Sequence, residues 1–332
     1  MHNEVKRMDY SKDRKKIVVI GCGRWGSFIT WYLDRIGHDV TLYGRSSSAR
    51  MQEFIENRRN EYVELAESIQ LTTDITACKD AEIVVISISA QTLQQLADQL
   101  AEMELQNKVI VLCMKGIEIE TGRRLTQIID DTLDMSNKVA VWLGPGHVQE
   151  FYRGVPNCMV IDSKDEAVKG ELVRGFSSDL IRFYYGADLI GNEIGGAAKN
   201  VIGIAAGLLD GLGMKSLKGA LMARGTREIA RLIAAMGGEE SSAYGLCHLG
   251  DYEATLFSQH SQNRAYGESI VTGARYEKLA EGYYTVKALC KLGKTYQVEL
   301  PICEAVYQIL YEDRDIQATL DELFQRSLKK EF

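Results

Sequence analysis

The chain has 332 residues, 45% hydrophobic and 26% charged, with a formal net charge of −7; this length favours two domains over one core, and the acidic balance excludes nucleic acid as the main partner. Seven cysteines (22, 78, 113, 158, 247, 290, 303) form no C-x-x-C, and five histidines (2, 38, 147, 248, 260) show no H-x-x-H or H-x-x-x-H spacing. No disulfide framework and no metal are expected, and a reducing, cytoplasmic setting suits the thiols.

The opening sequence, MHNEVKRMDYSKDRKK, is polar and lacks an apolar core of signal-peptide length, so residues 1–14 read as a short disordered or loosely docked extension. Nothing reaches ~18 uninterrupted apolar residues, and no membrane span is expected. A β-branched run, Ile17 to Ile20, leads directly into GCGRWG and then an amphipathic helix pattern. Gly21, Gly23 and Gly26 form G-x-G-x-x-G in the strand-to-helix context that a dinucleotide fingerprint requires. The first glycine permits a tight turn, the second lets backbone approach a pyrophosphate, and the third lets the helix pack against the strand. The helix N-terminus supplies N–H groups and a partial positive charge for the phosphates.

A second strand over 38–43 ends at Gly44-Arg45, followed by Ser46, Ser47 and Ser48, with no acidic residue. An arginine followed by hydroxyls suits a ribose 2'-phosphate and favours NADP over NAD; the plain alternative is a solvated loop charge. Further strands are predicted at Glu82 to Ser87, Lys108 to Cys113, Lys138 to Leu143, Asn157 to Asp162 and Leu180 to Tyr185, with helices at Thr92 to Met103 and Lys164 to Phe176. The alternation predicts a parallel sheet with helices on both faces and ligands at the strand ends. At such ends stand Lys115, within MKGIE (114–118), and the turn Gly144-Pro145-Gly146-His147. Lys115 suits a phosphate or a reacting oxygen, or is a solvent-facing lysine. His147 ranks below Lys199 as an acid/base residue, because a lone loop histidine is usually polar surface.

After residue 190 the β-branched runs stop and six helical patterns follow, at Gly191 to Leu209, Leu217 to Met236, Gln262 to Thr272, Tyr284 to Gly293, Pro301 to Tyr311 and Ile316 to Leu328. In the first, every residue from Gly195 to Leu209 is small or apolar except Lys199 and Asn200. That composition implies a helix buried on all sides. Its lysine either snorkels to the surface or finds buried partners, and in the second case it is a candidate acid/base group. The small residues around it admit another backbone or a flat ligand. The polar stretch 245–267 gathers Asp251, Thr255, Ser258, Ser261, Gln262, Asn263 and Arg264. It reads either as helix caps or as a phosphate- or polyol-binding patch opposite Lys199.

Together these motifs resemble the NAD(P)-dependent glycerol-3-phosphate dehydrogenase family over roughly residues 16–311. The resemblance is carried by GCGRWG (21–26), MKGIE (114–118), GPG (144–146), NEIGGAAKNVIGIAAGLLDGLG (192–213), ARGTREIARL (223–232), GD (250–251), SQNRAYG (261–267), EGYYT (281–285) and PICEAVY (301–307). It implies that Lys199 is the proton donor and acceptor and that Lys115, Asn200 and Asp251 complete the catalytic group. It further implies substrate contacts at Lys115, Gly144, Gly146, Ser261 and Asn263, and cofactor contacts at Gly21, Gly23, Arg24, Trp25, Gly26, Lys115, Val148 and Glu281, to which the strand-end reading adds Arg45. The family's Ser-Arg-Asn reads Ser261-Gln262-Asn263, with Arg264 as a candidate replacement for the phosphate-clamping arginine. Its Gly-Pro-Ser reads Gly-Pro-Gly at 144–146, and the fingerprint serine is Arg24.

The expected fold is therefore an α/β Rossmann-type N-terminal domain over 15–189 and an all-α C-terminal domain over 190–332. The expected activity is reduction of dihydroxyacetone phosphate to sn-glycerol 3-phosphate with NADPH or NADH, feeding phospholipid synthesis, by a protein that is cytoplasmic and has room to be a homodimer. Two alternatives stay open: a reductase of the same architecture acting on another hydroxy-acid or polyol substrate, and a catalytically silent nucleotide sensor.

Overall fold

Short runs of valine and isoleucine, buried on both faces, form the centre of one unit in this computed structural model, which describes residues 14–327. The chain runs β1 (Lys16–Ile20), α1 (Arg24–Arg35), β2 (Asp39–Tyr43), α2 (Ala49–Asn57), β3 (Gln70–Thr72), β4 (Ile83–Ile86), α3 (Leu93–Glu102), β5 (Val109–Leu112), α4 (Leu125–Thr132), β6 (Lys138–Leu143), α5 (Val148–Tyr152), β7 (Asn157–Ser163), α6 (Glu166–Phe176) and β8 (Ile181–Tyr185). The strands form one eight-stranded sheet in the order β3-β2-β1-β4-β5-β6-β7-β8. β3, α2, α4 and α5 were not among the predicted elements, because their apolar patterns are too short to stand out.

The all-parallel expectation fails at one place: β7 runs antiparallel to β6, with Trp142 opposite Ile161. The connection from Leu143 to Asn157 carries only the short α5 and returns β7 beside its predecessor without crossing back over the sheet. Parallel pairing resumes between β7 and β8, where α6 makes the crossover. The core of this unit packs Phe28, Tyr32, Trp142, Phe151 and Phe176 around the sheet residues Val19, Leu42, Val85 and Val111.

The other unit is helical: α7 (Leu189–Gly211), α8 (Lys218–Ala235), α9 (Gln262–Thr272), α10 (Glu281–Thr295), α11 (Pro301–Tyr311) and α12 (Ile316–Gln325). Pro301 opens α11, where its missing N–H costs nothing. The division groups Lys115–Arg124 with this unit, which otherwise starts at Ile190; the sheet unit holds the chain up to Met114 and Leu125–Leu189. Every residue from Glu193 to Leu209 in α7 is buried. The close approach that its glycines permit is taken by backbone: a Cβ on Gly207 would lie 2.0 Å from the Arg264 carbonyl oxygen, and one on Gly267 would lie 2.1 Å from that of Ile204. α9 thus lies on α7 almost backbone to backbone. All seven cysteines are free thiols. Among the described residues no helix is long and apolar enough to cross a membrane. The expected extension falls, up to residue 13, outside the described residues, as does the predicted end of the last helix at Leu328.

Candidate active site

Lys199 sits mid-way along α7 and is only 7% exposed, so its amine does not snorkel to the surface. Its partner is Asp251, 1% exposed, at the end of a short 3-10 turn, Leu249–Asp251. Oδ2 of Asp251 takes an ion pair from Lys199 and a second one, 2.7 Å long, from Lys115 Nζ. Directly after this turn the chain makes one turn of π-helix, Glu253–Phe257. The wider turn sets Thr255 so that its Oγ1 accepts from Lys199 Nζ at 3.0 Å. Burial pushes the Lys199 amine down to about 7; Asp251 opposes that fall and the Lys115 cation reinforces it. An amine that gains and loses its proton near neutrality is suited to general acid/base work.

Amides brace this cluster. Asn200 Nδ2 donates to the Lys115 carbonyl at 3.3 Å, and Asn200 Oδ1 accepts from Asn263 Nδ2 at 3.0 Å. Asn263 Oδ1 in turn accepts from the Gly282 N–H at 2.9 Å. Asn200, expected in the catalytic group, is tied by these hydrogen bonds to the Lys115 backbone and to α9. The far end of the 115–124 excursion is pinned to α7 by a buried ion pair between Arg124 and Glu193.

Arg264 does not join the cluster. Its Nη1 is held by Asp210 at 2.7 Å and Glu268 at 3.0 Å, and its Nε donates to the Ser258 carbonyl. Asp210 lies eleven residues beyond Lys199 on α7, roughly 16 Å of helical rise. Arg264, expected on substrate phosphate, has its Nη1 held by two carboxylates. Asp210 also takes Lys218 at 2.7 Å. Ser261, expected on substrate, is the N-cap of α9 and accepts from the Arg264 N–H. Gln262 Oε1 accepts from the Tyr276 hydroxyl at 2.9 Å. Glu281 opens α10.

The sheet unit carries the fingerprint. Gly21 has φ +116, and a Cβ there would lie 2.2 Å from the Ser87 carbonyl oxygen; a Cβ on Gly26 would lie 1.9 Å from that of Gly21. The third glycine therefore makes room for the turn itself. Gly23, the N-cap of α1, faces open space bounded by Arg50 Nη1, 3.5 Å from where a Cβ would sit. A glycine cradle of this kind at a helix N-terminus fits a pyrophosphate. Arg24 and Arg50 both act on the Tyr62 phenol, and Arg45 is exposed at the end of β2. Of the serines after Arg45, Ser48 is used as the N-cap of α2. Trp25 is half-buried against Phe28 and Phe151, with ring centroids 5.2 and 6.2 Å away. Gly144 and Gly146 have φ +127 and +148. A Cβ on Gly146 would lie 2.2 Å from the Phe151 ring, so the family's serine is excluded here by the aromatic beside it. The Val148 side chain is buried in the core and leaves only backbone for a ligand.

Residues 16–169 match the family described as NAD-dependent glycerol-3-phosphate dehydrogenase N-terminus, and residues 188–321 match its C-terminus. The chain belongs to the NAD-dependent glycerol-3-phosphate dehydrogenase family. It is 33% identical to a glycerol-3-phosphate dehydrogenase (NAD(P)+) of Chlorobium limicola, over 95% of this chain and 99% of the relative. It is 35% identical to the enzyme of that name from Fusobacterium nucleatum, over 95% and 98%. Among solved structures, the glycerol-3-phosphate dehydrogenase of Coxiella burnetii superposes with a TM-score of 0.88 at 25% identity, covering 94% of this chain and 99% of that one.

Within this member of the family, sequence reasoning missed residues around the lysine cluster and one beside the glycine turn. Thr255 was noted only as part of a polar stretch, since nothing in a hydroxyl's position reveals a π-helical turn. Arg124 and Glu193 are far apart in sequence and pair only in the fold. Arg50 was missed because its place beside Gly23 depends on where α2 begins. His248 was counted among the histidines and left aside, yet it is wholly buried, five residues before the π-helical turn begins.

Proposed function

We propose that the protein reduces dihydroxyacetone phosphate to sn-glycerol 3-phosphate with a reduced nicotinamide dinucleotide, NADPH in preference to NADH. The observation that carries this reading is the buried Lys199–Asp251–Lys115 cluster, with Thr255 on the Lys199 amine. In this reading residues 15–189 bind the dinucleotide and the helical unit supplies the acid/base chemistry. The bound dinucleotide supplies a hydride to the ketone carbon. Lys199 gives its proton to the ketone oxygen as that oxygen becomes a hydroxyl, which is worth ~10²–10⁴ in rate for general acid catalysis. Lys115 sets a second cation near the developing charge, where fixed charges act most strongly. Asp251 keeps both ammonium groups converged and offsets the loss of hydration at Lys199. Asn200 holds the Lys115 backbone through its amide and is itself held by Asn263.

Family membership and the charge pairing support the redox step. The reading includes a cytoplasmic protein, with a homodimer as its assembly, testable by sedimentation. The deciding experiment is purified protein with dihydroxyacetone phosphate and each reduced nicotinamide, followed by nicotinamide absorbance. Turnover with a lower KM for NADPH supports the reading; absence of turnover with either cofactor overturns it.

A further inference from the structure

We infer that His248 is a positioning residue for the reaction: its imidazole bridges the backbone of the Lys199 helix to the residue beside Asp251 and so sets how closely the two charges meet. This rests on the proposed role of Lys199 as proton donor. His248 Nδ1 lies 2.8 Å from the Gly195 carbonyl oxygen, and His248 Nε2 lies 2.8 Å from the Tyr252 hydroxyl. A carbonyl can only accept, so Nδ1 carries the ring proton, and the neutral ring accepts from Tyr252 at Nε2. Gly195 stands one helical turn before Lys199, and in α7 its carbonyl is the acceptor for the Lys199 backbone N–H. Tyr252 follows Asp251 directly. One ring thus links the carbonyl one turn before Lys199 to the side chain of the residue after Asp251.

The seat for this ring is specific. A Cβ on Gly195 would lie 2.9 Å from His248 Cβ, so a larger residue at 195 would push the imidazole away. His248 and Tyr252 are both 0% exposed, and their rings meet edge to face at 4.9 Å. Burial holds the imidazole down at about 4, with the nearby Lys199 cation adding to that, so the ring stays neutral wherever Lys199 titrates. The groups that act on Lys199 are Asp251 from its turn, Lys115 from the 115–124 excursion and the Thr255 hydroxyl from the π-helical turn. Of these only Asp251 raises the affinity of Lys199 for its proton among the charged groups. Loosening the His248 bridge lets Asp251 retreat, and Lys199 then loses its proton at lower pH.

The test is a direct titration of Lys199, read from its side-chain ε-carbon resonance in protein labelled at lysine and assigned by its loss in Lys199→Met. In His248→Ala the midpoint should move to lower pH by about half a unit or more. His248→Asn keeps an amide donor for Gly195 and should recover part of the shift. Tyr252→Phe leaves the ring in place but cuts its link to the Asp251 turn, and should move the midpoint in the same direction by less; it also serves if His248→Ala does not fold. With dihydroxyacetone phosphate, kcat of His248→Ala should fall about 10- to 100-fold, as a small misplacement of a catalytic group does, with the KM for NADPH unchanged. An unmoved Lys199 midpoint in a folded His248→Ala or Tyr252→Phe protein overturns the inference. A moved midpoint in a protein that never reduces dihydroxyacetone phosphate upholds the inference and overturns the substrate assignment.

Discussion

Lys115 and Lys199 meet at one atom, Oδ2 of the buried Asp251. Two ammonium groups on a single carboxylate oxygen leave the pair one positive charge in excess, and burial of Lys199 makes its proton the one most easily given up. In the reduction direction the reaction needs that proton. Activity should therefore be full below the Lys199 midpoint and fall as pH rises through about 7. Lys199→Met should lower kcat by ~10²–10⁴ while NADPH still binds, as judged by quenching of tryptophan fluorescence. Asp251→Asn removes the charge that holds Lys199 protonated, and should move the falling limb to lower pH.

Glu228 gives a pH effect of opposite origin. It is buried on α8, and its two oxygens accept from the Ile302 and Cys303 N–H groups at the start of α11, 2.9 and 3.0 Å away. Burial pushes its carboxyl up to about 7 against those hydrogen bonds. A carboxyl whose pKa is raised on folding binds its proton more tightly in the folded state. Its contribution to stability is fully present below the ordinary carboxylate range and is lost as pH rises through about 7. Glu228→Gln should flatten that part of the stability–pH curve, measured by urea unfolding from pH 5 to 8. It should also lose about 1–3 kcal/mol, because an amide can accept from only one of the two N–H groups.

Arg45 and Arg50 bear on cofactor choice. Arg50 borders the open space at Gly23 and Arg45 ends β2 with no acid beside it. Arg45→Ala and Arg50→Ala should each raise the dissociation constant for NADPH several-fold and leave that for NADH almost unchanged. Equal weakening of both cofactors would place these cations on the pyrophosphate instead.

Gly146 is a departure from the family that the fold requires. Its φ of +148 and the Phe151 ring, 2.2 Å from a would-be Cβ, both oppose a side chain. Gly146→Ser should cost about 1–3 kcal/mol in thermal or urea unfolding, the usual penalty for overpacking. Gly146→Ser combined with Phe151→Leu should recover part of it.

Much of this was legible in one dimension. A β-branched run followed by G-x-G-x-x-G announces strand, turn and helix because each residue acts on its own backbone. The surround of Lys199 announces burial because apolar residues occupy every face of the helix. Those are local properties, set by spacing of 2 or 3.6 residues and by the absence of a side chain. What the tertiary structure alone decided is pairing between distant groups. Arg264 and Asp251 stand in one polar stretch with nothing in their neighbours to separate them. The fold sends Arg264 to Asp210 and Asp251 to the two lysines. The same holds for β7, whose antiparallel direction follows from where its connection leads, and for His248, whose two hydrogen bonds reach Gly195 and Tyr252 only after α7 and the Asp251 turn have packed. A charge or a ring nitrogen has no partner in the sequence; packing brings one within hydrogen-bond reach.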